Sequence, residues 1–145
     1  MADIPEGFTF ENPAQAFATS ESWFSLIGPV YRRADLPPGQ SRLGFASSAK
    51  HKNYLQQVHG GMLAAFFDYV VWNAAFSVWP GGCVTLNMTI NYISAAPLDA
   101  WIEGAGEVVR AGKQVAFCQG VITAGDKILG NGSAAFRKIE RENSR

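Results

Sequence analysis

From His59 to Ser77 the chain reads His-Gly-Gly-Met-Leu-Ala-Ala-Phe-Phe-Asp-Tyr-Val-Val-Trp-Asn-Ala-Ala-Phe-Ser, apolar at almost every position after the glycines. A helix that is apolar all round has to be enclosed on several sides. In a chain of 145 residues, a sheet curled around the helix is the way to enclose it. Asp68 sits in the middle of this run, and an unpaired carboxylate in an apolar surround is costly, so it must be used or neutralised. Gly60 and Gly61 leave the first helical N–H groups open to close approach. Those groups have no partner inside a helix, and the helix dipole makes that end attractive to negative charge.

The run approaches the length of a membrane span. An acidic residue at mid-bilayer costs roughly 2.5–3.5 kcal/mol even on the lenient scale, and Asn73 and Ser77 add further polarity without flanking basic clusters. A buried helix of a soluble protein, with no membrane partner, is the expectation. The chain has 12 basic and 12 acidic side chains and only 17% charged residues, which argues against nucleic acid as the main partner. Met1 to Phe10 contains two acids and no apolar run, so no secretory signal is read there. Cys83 and Cys118 lack metal-ligand spacing and are read as reduced strand residues of a cytoplasmic protein; neither they nor His51 and His59 suggest a metal site.

Asn12-Pro13 reads as a helix cap followed by proline at the first helical position. That helix is expected to run through Phe17, Trp23, Phe24 and Leu26 to Gly28-Pro29, with Ser20 as a second possible cap. Pro37-Pro38-Gly39 reads as a loop and Arg42 to Ala49 as a strand, followed by an irregular stretch from His51 to Val58. Pro80-Gly81-Gly82 ends the long helix. From Cys83 the period becomes two, Val84, Leu86, Met88, Ile90 and Tyr92 alternating with Thr85, Asn87, Thr89 and Asn91. Strands over Trp101–Arg110, Gln114–Ala124 and Ile128–Ile139 follow, separated by turns at Ala111-Gly112 and Gly125-Asp126. Together with the strand at Cys83 they predict a four-strand antiparallel meander. The fold class is α+β in one domain over 1–145: an N-terminal helical segment (1–40), a core (41–139) and a charged tail (140–145).

This layout, with Asn53, His59-Gly60-Gly61 opening the helix, Asp68 inside it and Thr85 early in the next strand, resembles the hotdog fold. It looks most like the phenylacetate-degradation (PaaI-like) branch of the acyl-CoA thioesterases, over roughly Arg42 to Lys138. The resemblance implies a cytoplasmic homo-oligomer, dimer or dimer of dimers, that hydrolyses an acyl-CoA to a carboxylic acid and free coenzyme A. No cofactor beyond the substrate's own coenzyme A is implied. By resemblance the Gly60 amide polarises the carbonyl, Asn53 holds the thioester or the water, and Asp68 is base or nucleophile. A carboxylate in an apolar pocket gains proton affinity, which suits base chemistry near neutral pH. His59 either caps and braces the loop or takes a direct part. Thr85 is either a hydroxyl helper or a plain polar-face residue, since strict alternation sets it opposite Val84 and Leu86. Gly61, Arg110, Lys113 and Arg137 are the substrate-binding candidates, the basic ones for the phosphates of coenzyme A or simply solvated. Met62, Phe66, Phe67 and Trp72, or Phe17, Trp23 and Phe24, line the acyl chamber or pack the core.

Gly60 and Asp68 are eight residues apart, which on one helix is about 12 Å along the axis. Both cannot touch one carbonyl, so a site using both takes Asp68 from a second subunit across a two-fold axis. A non-catalytic acyl-CoA-binding or scaffold hotdog protein is the alternative. A hotdog dehydratase would need an acid matched to His59, and none follows downstream.

Overall fold

The computed structural model describes residues 2–10 and 23–140. Its elements are β1 (Thr9–Phe10), α1 (Trp23–Ile27), β2 (Tyr31–Arg32), β3 (Gln40–Ala46), a 3₁₀ turn (Ala49–His51), α2 (Gly60–Val78), β4 (Cys83–Tyr92), β5 (Trp101–Ala111), β6 (Val115–Ala124) and β7 (Lys127–Lys138). The strands form one antiparallel sheet in the order β1-β2-β3-β5-β6-β7-β4. It wraps α2, which is the hotdog architecture.

Helix α2 lies close to the sheet because the sheet has a row of glycines beneath it. Gly106, Gly120 and Gly132 are register partners on β5, β6 and β7. A Cβ on Gly120 would stand 3.1 Å from side-chain carbons of Phe67 and Val71, and one on Gly132 3.0 Å from the Phe67 ring. Without that row the helix would have to ride higher, and the buried surfaces of Phe66, Phe67, Val70 and Val71 would separate from the strands. The polar residues of the helix are satisfied locally. Asn73 donates to the Tyr69 carbonyl, Ser77 Oγ donates to the Ala74 carbonyl and accepts from Gly39 N–H, and Ser41 Oγ donates to the Val70 carbonyl.

One stripe of α2 is less enclosed than the rest. Ala65, Asp68, Tyr69 and Trp72 are half-buried and Phe76 is 38% exposed. Tyr69 stacks on Trp72 and Trp72 on Phe76, which makes the stripe a flat aromatic surface with Asp68 at one end.

The structure corrects three expectations. The meander has three strands, β5 to β7; β4 pairs with β7 at the far edge of the sheet. Short turns join only the last three strands, and residues 93–100 carry the chain from one edge to the strand beside β3. The N-terminal segment is not simply helical, since it adds β1 and β2 beyond β3. The cap at Asn12-Pro13, the helix through Phe17 and the cap at Ser20 lie outside the described residues, as does the tail beyond Glu140. Finally, β4 does not alternate strictly. A bulge between Thr85 and Asn87 leaves Leu86 without a partner on β7. Thr85, though exposed, reaches the helix through its bond to Asp68, and Met88 and Ile90 pack against the core.

Candidate active site

Helix α2 begins with an unusual cap. His59 is the N-cap, and its Nδ1 accepts the Gly61 N–H at 2.8 Å. That fixes Nδ1 as the unprotonated nitrogen and leaves the proton of the neutral ring on Nε2. The Met62 and Leu63 N–H groups bond to the His59 carbonyl. Among the described residues the Gly60 N–H alone of this first turn has no acceptor. It is a donor at a positive helix end with no side chain to shield it. Tyr92, which sequence reasoning missed, closes this corner: its hydroxyl donates to the Gly60 carbonyl at 2.7 Å, and its ring lies 3.4 Å from where a Cβ would stand on Gly60. Nothing in the alternation of β4 marks Tyr92 as different from the other apolar residues of the strand.

Asn53 sits in the loop before the helix. Its Oδ1 accepts from the N–H groups of Leu55 (2.9 Å) and Gln57 (3.1 Å), an Asx turn that leaves its side-chain N–H donors unused among the described residues. The turn reading and the functional reading are thus compatible: the oxygen holds the loop and the amide nitrogen is offered outward. Tyr54 and Leu55, at 89% and 58% exposure, stand on the tip of the same loop.

Asp68 lies two turns down the helix. Its Oδ1 accepts from the Thr85 hydroxyl at 2.9 Å, and no ion pair reaches it among the described residues. Burial pushes its carboxyl above the usual aspartate range, and the Thr85 hydrogen bond opposes part of that rise. Thr85 stands beside the bulge in β4 and reaches the carboxylate although it is itself exposed.

The basic candidates gather at one end of the sheet. Arg137 is in register with Val84 on β4 and Val115 on β6, Lys113 is in the turn just before Val115, and Arg110 is opposite Phe117. All are exposed. A cleft of about 620 Å³ is lined by Val84, Gln114, Arg137, Lys138, Ile139 and Glu140. A second groove of about 630 Å³ runs over the outer face of the sheet, past Arg42, Glu107 and Gln119. Neither includes Asn53, Gly60 or Asp68. Of the expected chamber residues, Phe66 and Phe67 are fully buried core, Met62 and Trp72 are half-buried, and Trp23 is 67% exposed. Among the described residues no group of three or more His, Cys, Asp and Glu is placed to hold a metal.

A family model for the thioesterase superfamily matches residues 55–130, which contain His59, Gly60, Asp68 and Thr85. The chain belongs to the thioesterase superfamily. A Pseudomonas aeruginosa protein that carries the provisional name of esterase is 28% identical over 138 residues, 94% of this chain and 98% of that one. This thioesterase-superfamily fold superposes on the Escherichia coli PaaI protein of the phenylacetic acid degradation operon with a TM-score of 0.77 at 18% identity, covering 88% and 91% of the two chains. It also superposes on a hypothetical thioesterase of Streptococcus pneumoniae solved with coenzyme A, with a TM-score of 0.70 at 22% identity, covering 78% and 91%.

Proposed function

We propose that the protein is an acyl-CoA thioesterase whose sites form between two subunits. The observation that carries this reading is the pairing, on one helix, of a Gly60 N–H without an acceptor among the described residues and an Asp68 carboxyl of raised proton affinity. Thioester hydrolysis needs an oxyanion donor and a base or nucleophile, and these two groups can supply them.

In the proposed reaction the thioester oxygen points at the Gly60 N–H, and the Asn53 amide holds the carbonyl or the attacking water. Asp68 of the partner takes a proton from that water or attacks the carbonyl itself. Charge that develops on the oxygen is met by a donor already in place, so little reorganisation is needed. In the first route collapse breaks the carbon–sulfur bond, the proton held by Asp68 passes to the leaving thiolate, and the acid is formed directly. In the second, collapse leaves a mixed anhydride on Asp68 and a thiolate that takes a proton from solvent, and water then hydrolyses the anhydride to the carboxylic acid and frees the carboxylate; both routes end in a carboxylic acid and coenzyme A thiol. Arg110, Lys113 and Arg137 are proposed to meet the phosphates of coenzyme A; the coenzyme A carried by the streptococcal thioesterase supports that substrate class.

The two-subunit arrangement rests on the helix. Asp68 lies eight positions after Gly60 on α2, about 12 Å along the axis, and Phe76, stacked on Trp72 beside it, is 38% exposed. Strand β4 is likewise, among the described residues, an edge of the sheet, and it exposes Val84, Leu86 and Tyr92. Edges of that kind invite a second strand. Two chains joined along β4 with their α2 helices side by side would cover both surfaces.

The test is release of free thiol from a panel of aliphatic and aromatic acyl-CoAs. The wild-type protein should turn over at least one of them, and Asp68→Asn should abolish that turnover. Binding of acyl-CoA without thiol release would favour the non-catalytic alternative.

A further inference from the structure

His51 is buried at 4% exposure and ties its own turn and the start of α2 to the end of α1, 24 residues away. Its Nδ1 accepts the Ser48 N–H at 3.0 Å, which closes the 3₁₀ turn. Its Nε2 lies 3.2 Å from the carbonyl of Ile27, the last residue of α1 and one of the helix-end carbonyls with no partner inside the helix. Its own carbonyl accepts the N–H of His59, the cap of α2, at 2.8 Å. Only the neutral ring with its proton on Nε2 satisfies both side-chain contacts, because a charged ring would have two donors and leave Ser48 N–H without an acceptor. Lys50 beside it donates to the Gly28 carbonyl, so the same turn grips the end of α1 twice.

Downstream of this clamp stand the groups proposed to touch the substrate. Asn53 is two residues beyond His51, in a loop closed by the Lys52–Val58 bridge and the Asn53 N–H to Gln57 carbonyl bond at 2.7 Å. Gly60 follows His59 directly. We propose that His51 is a positioning residue, which holds the Asn53 loop and the His59–Gly60 peptide at the mutual spacing that one thioester carbonyl requires, and fixes both to the N-terminal segment. The inference rests on the thioesterase reading above. Small misplacements of such groups are expensive, since a shift of about 1 Å can cost about a hundredfold in rate.

The test compares three variants. His51→Phe keeps a ring against Phe45 but removes both hydrogen bonds. His51→Asn puts an oxygen acceptor near the place of Nδ1. Leu43→Ala empties a fully buried site on β3 and serves as a control for lost stability alone. With an active acyl-CoA and below the melting range, His51→Phe should lower kcat about tenfold or more with KM within about threefold. His51→Asn should recover a substantial part of that loss. Leu43→Ala should keep kcat within about twofold. If His51→Phe keeps its kcat, or Leu43→Ala loses as much as His51→Phe, the proposal is overturned. Amide hydrogen exchange separates this from failure of the thioesterase reading. Should the wild-type protein hydrolyse no thioester, that reading falls, and exchange alone decides the clamp. Amides of residues 53–61 exchanging about tenfold faster in His51→Phe would sustain it, and unchanged exchange there would refute it.

Discussion

The Thr85 hydroxyl donates to Oδ1 of Asp68 at 2.9 Å from a position beside the bulge in β4. The bond favours the charged carboxylate, while burial favours the neutral acid and acts more strongly. Removing the hydroxyl should leave burial unopposed. In Thr85→Val the acid limb of the pH–kcat profile should therefore move to higher pH, with kcat at neutral pH reduced about tenfold, the scale of one lost hydrogen bond to a charged group. An unmoved acid limb would mean that another group sets it.

The same shift bears on stability. Because burial raises the Asp68 pKa on folding, the folded chain holds more protons than the unfolded chain between the ordinary aspartate pKa and the raised one. Stability then falls as pH climbs through that window, and above it the ionised carboxylate is a constant cost. Asp68→Asn removes the cost and keeps an oxygen that accepts from Thr85. At neutral pH this inactive variant should melt at the same temperature as wild type or higher, by differential scanning calorimetry. A clear drop would show that the carboxylate holds the fold together.

How far the sequence exposed this arrangement depended on the kind of interaction. Helix α2 and the strands β4 to β7 were legible because each carries its own period or its own turn, as at Gly125-Asp126, where Gly125 has a φ of +57°. The place of β4 was not legible: edge order depends on where residues 93–100 run, and no local pattern encodes it. Thr85 was ambiguous for the related reason that a one-residue bulge reverses parity without altering the alternation of residue types. Asn53, Gly60 and Asp68 stood out through the resemblance and the cost of a lone acid. Tyr92 and His51 each contact a backbone carbonyl far along the chain, 32 and 24 residues away, and such contacts leave no periodic mark.

The glycine row did leave a trace, Gly104-x-Gly106 on β5 and Gly130-x-Gly132 on β7, but alternation of small residues alone does not say what lies above them. Its structural role predicts a steep penalty. In Gly120→Val, Cβ would already stand 2.9 Å from the Ala105 carbonyl oxygen and 3.1 Å from Phe67, so the branched side chain must lift α2 from the sheet. Overpacking of this kind costs about 1–3 kcal/mol or more. Urea denaturation should show at least that loss, and an unchanged midpoint would mean that the helix is free to move there.

His51 gives stability a second pH dependence of opposite sense. Burial, then the positive charge of Lys50, hold its pKa below the usual value of 6.5, against the opposing bond to Ile27; the other groups around the ring, Phe45 and the Ser48 backbone, are uncharged. The unfolded chain thus takes up a proton at a pH where the folded chain does not. Stability should be full above the unfolded value and decline as pH falls through 6.5 towards the lowered one. In His51→Asn, calorimetric melting temperatures should lose this decline, and a decline of equal size in the variant would assign it to other groups.

Complementation between two inactive proteins tests the shared site directly. Asp68→Asn lacks the carboxylate and Asn53→Ala lacks the loop amide, so neither homodimer has an intact site. In a mixed dimer with sites built across the axis, one site draws Asn53 and Gly60 from the Asp68→Asn chain and Asp68 from the Asn53→Ala chain, and is complete; the other carries both defects. Random reassociation of equal amounts makes about half the dimers mixed, each with one working site of two, so activity should return to about a quarter of wild type. Sites built within one chain would give every site of a mixed dimer one defect, and mixing would restore nothing. Co-purification of an untagged variant with a tagged one confirms that exchange occurred, and Leu86→Lys, a charge on the exposed bulge of β4, should weaken both the dimer and the recovered activity together. Activity retained by a Leu86→Lys protein shown to be monomeric would end the two-subunit proposal.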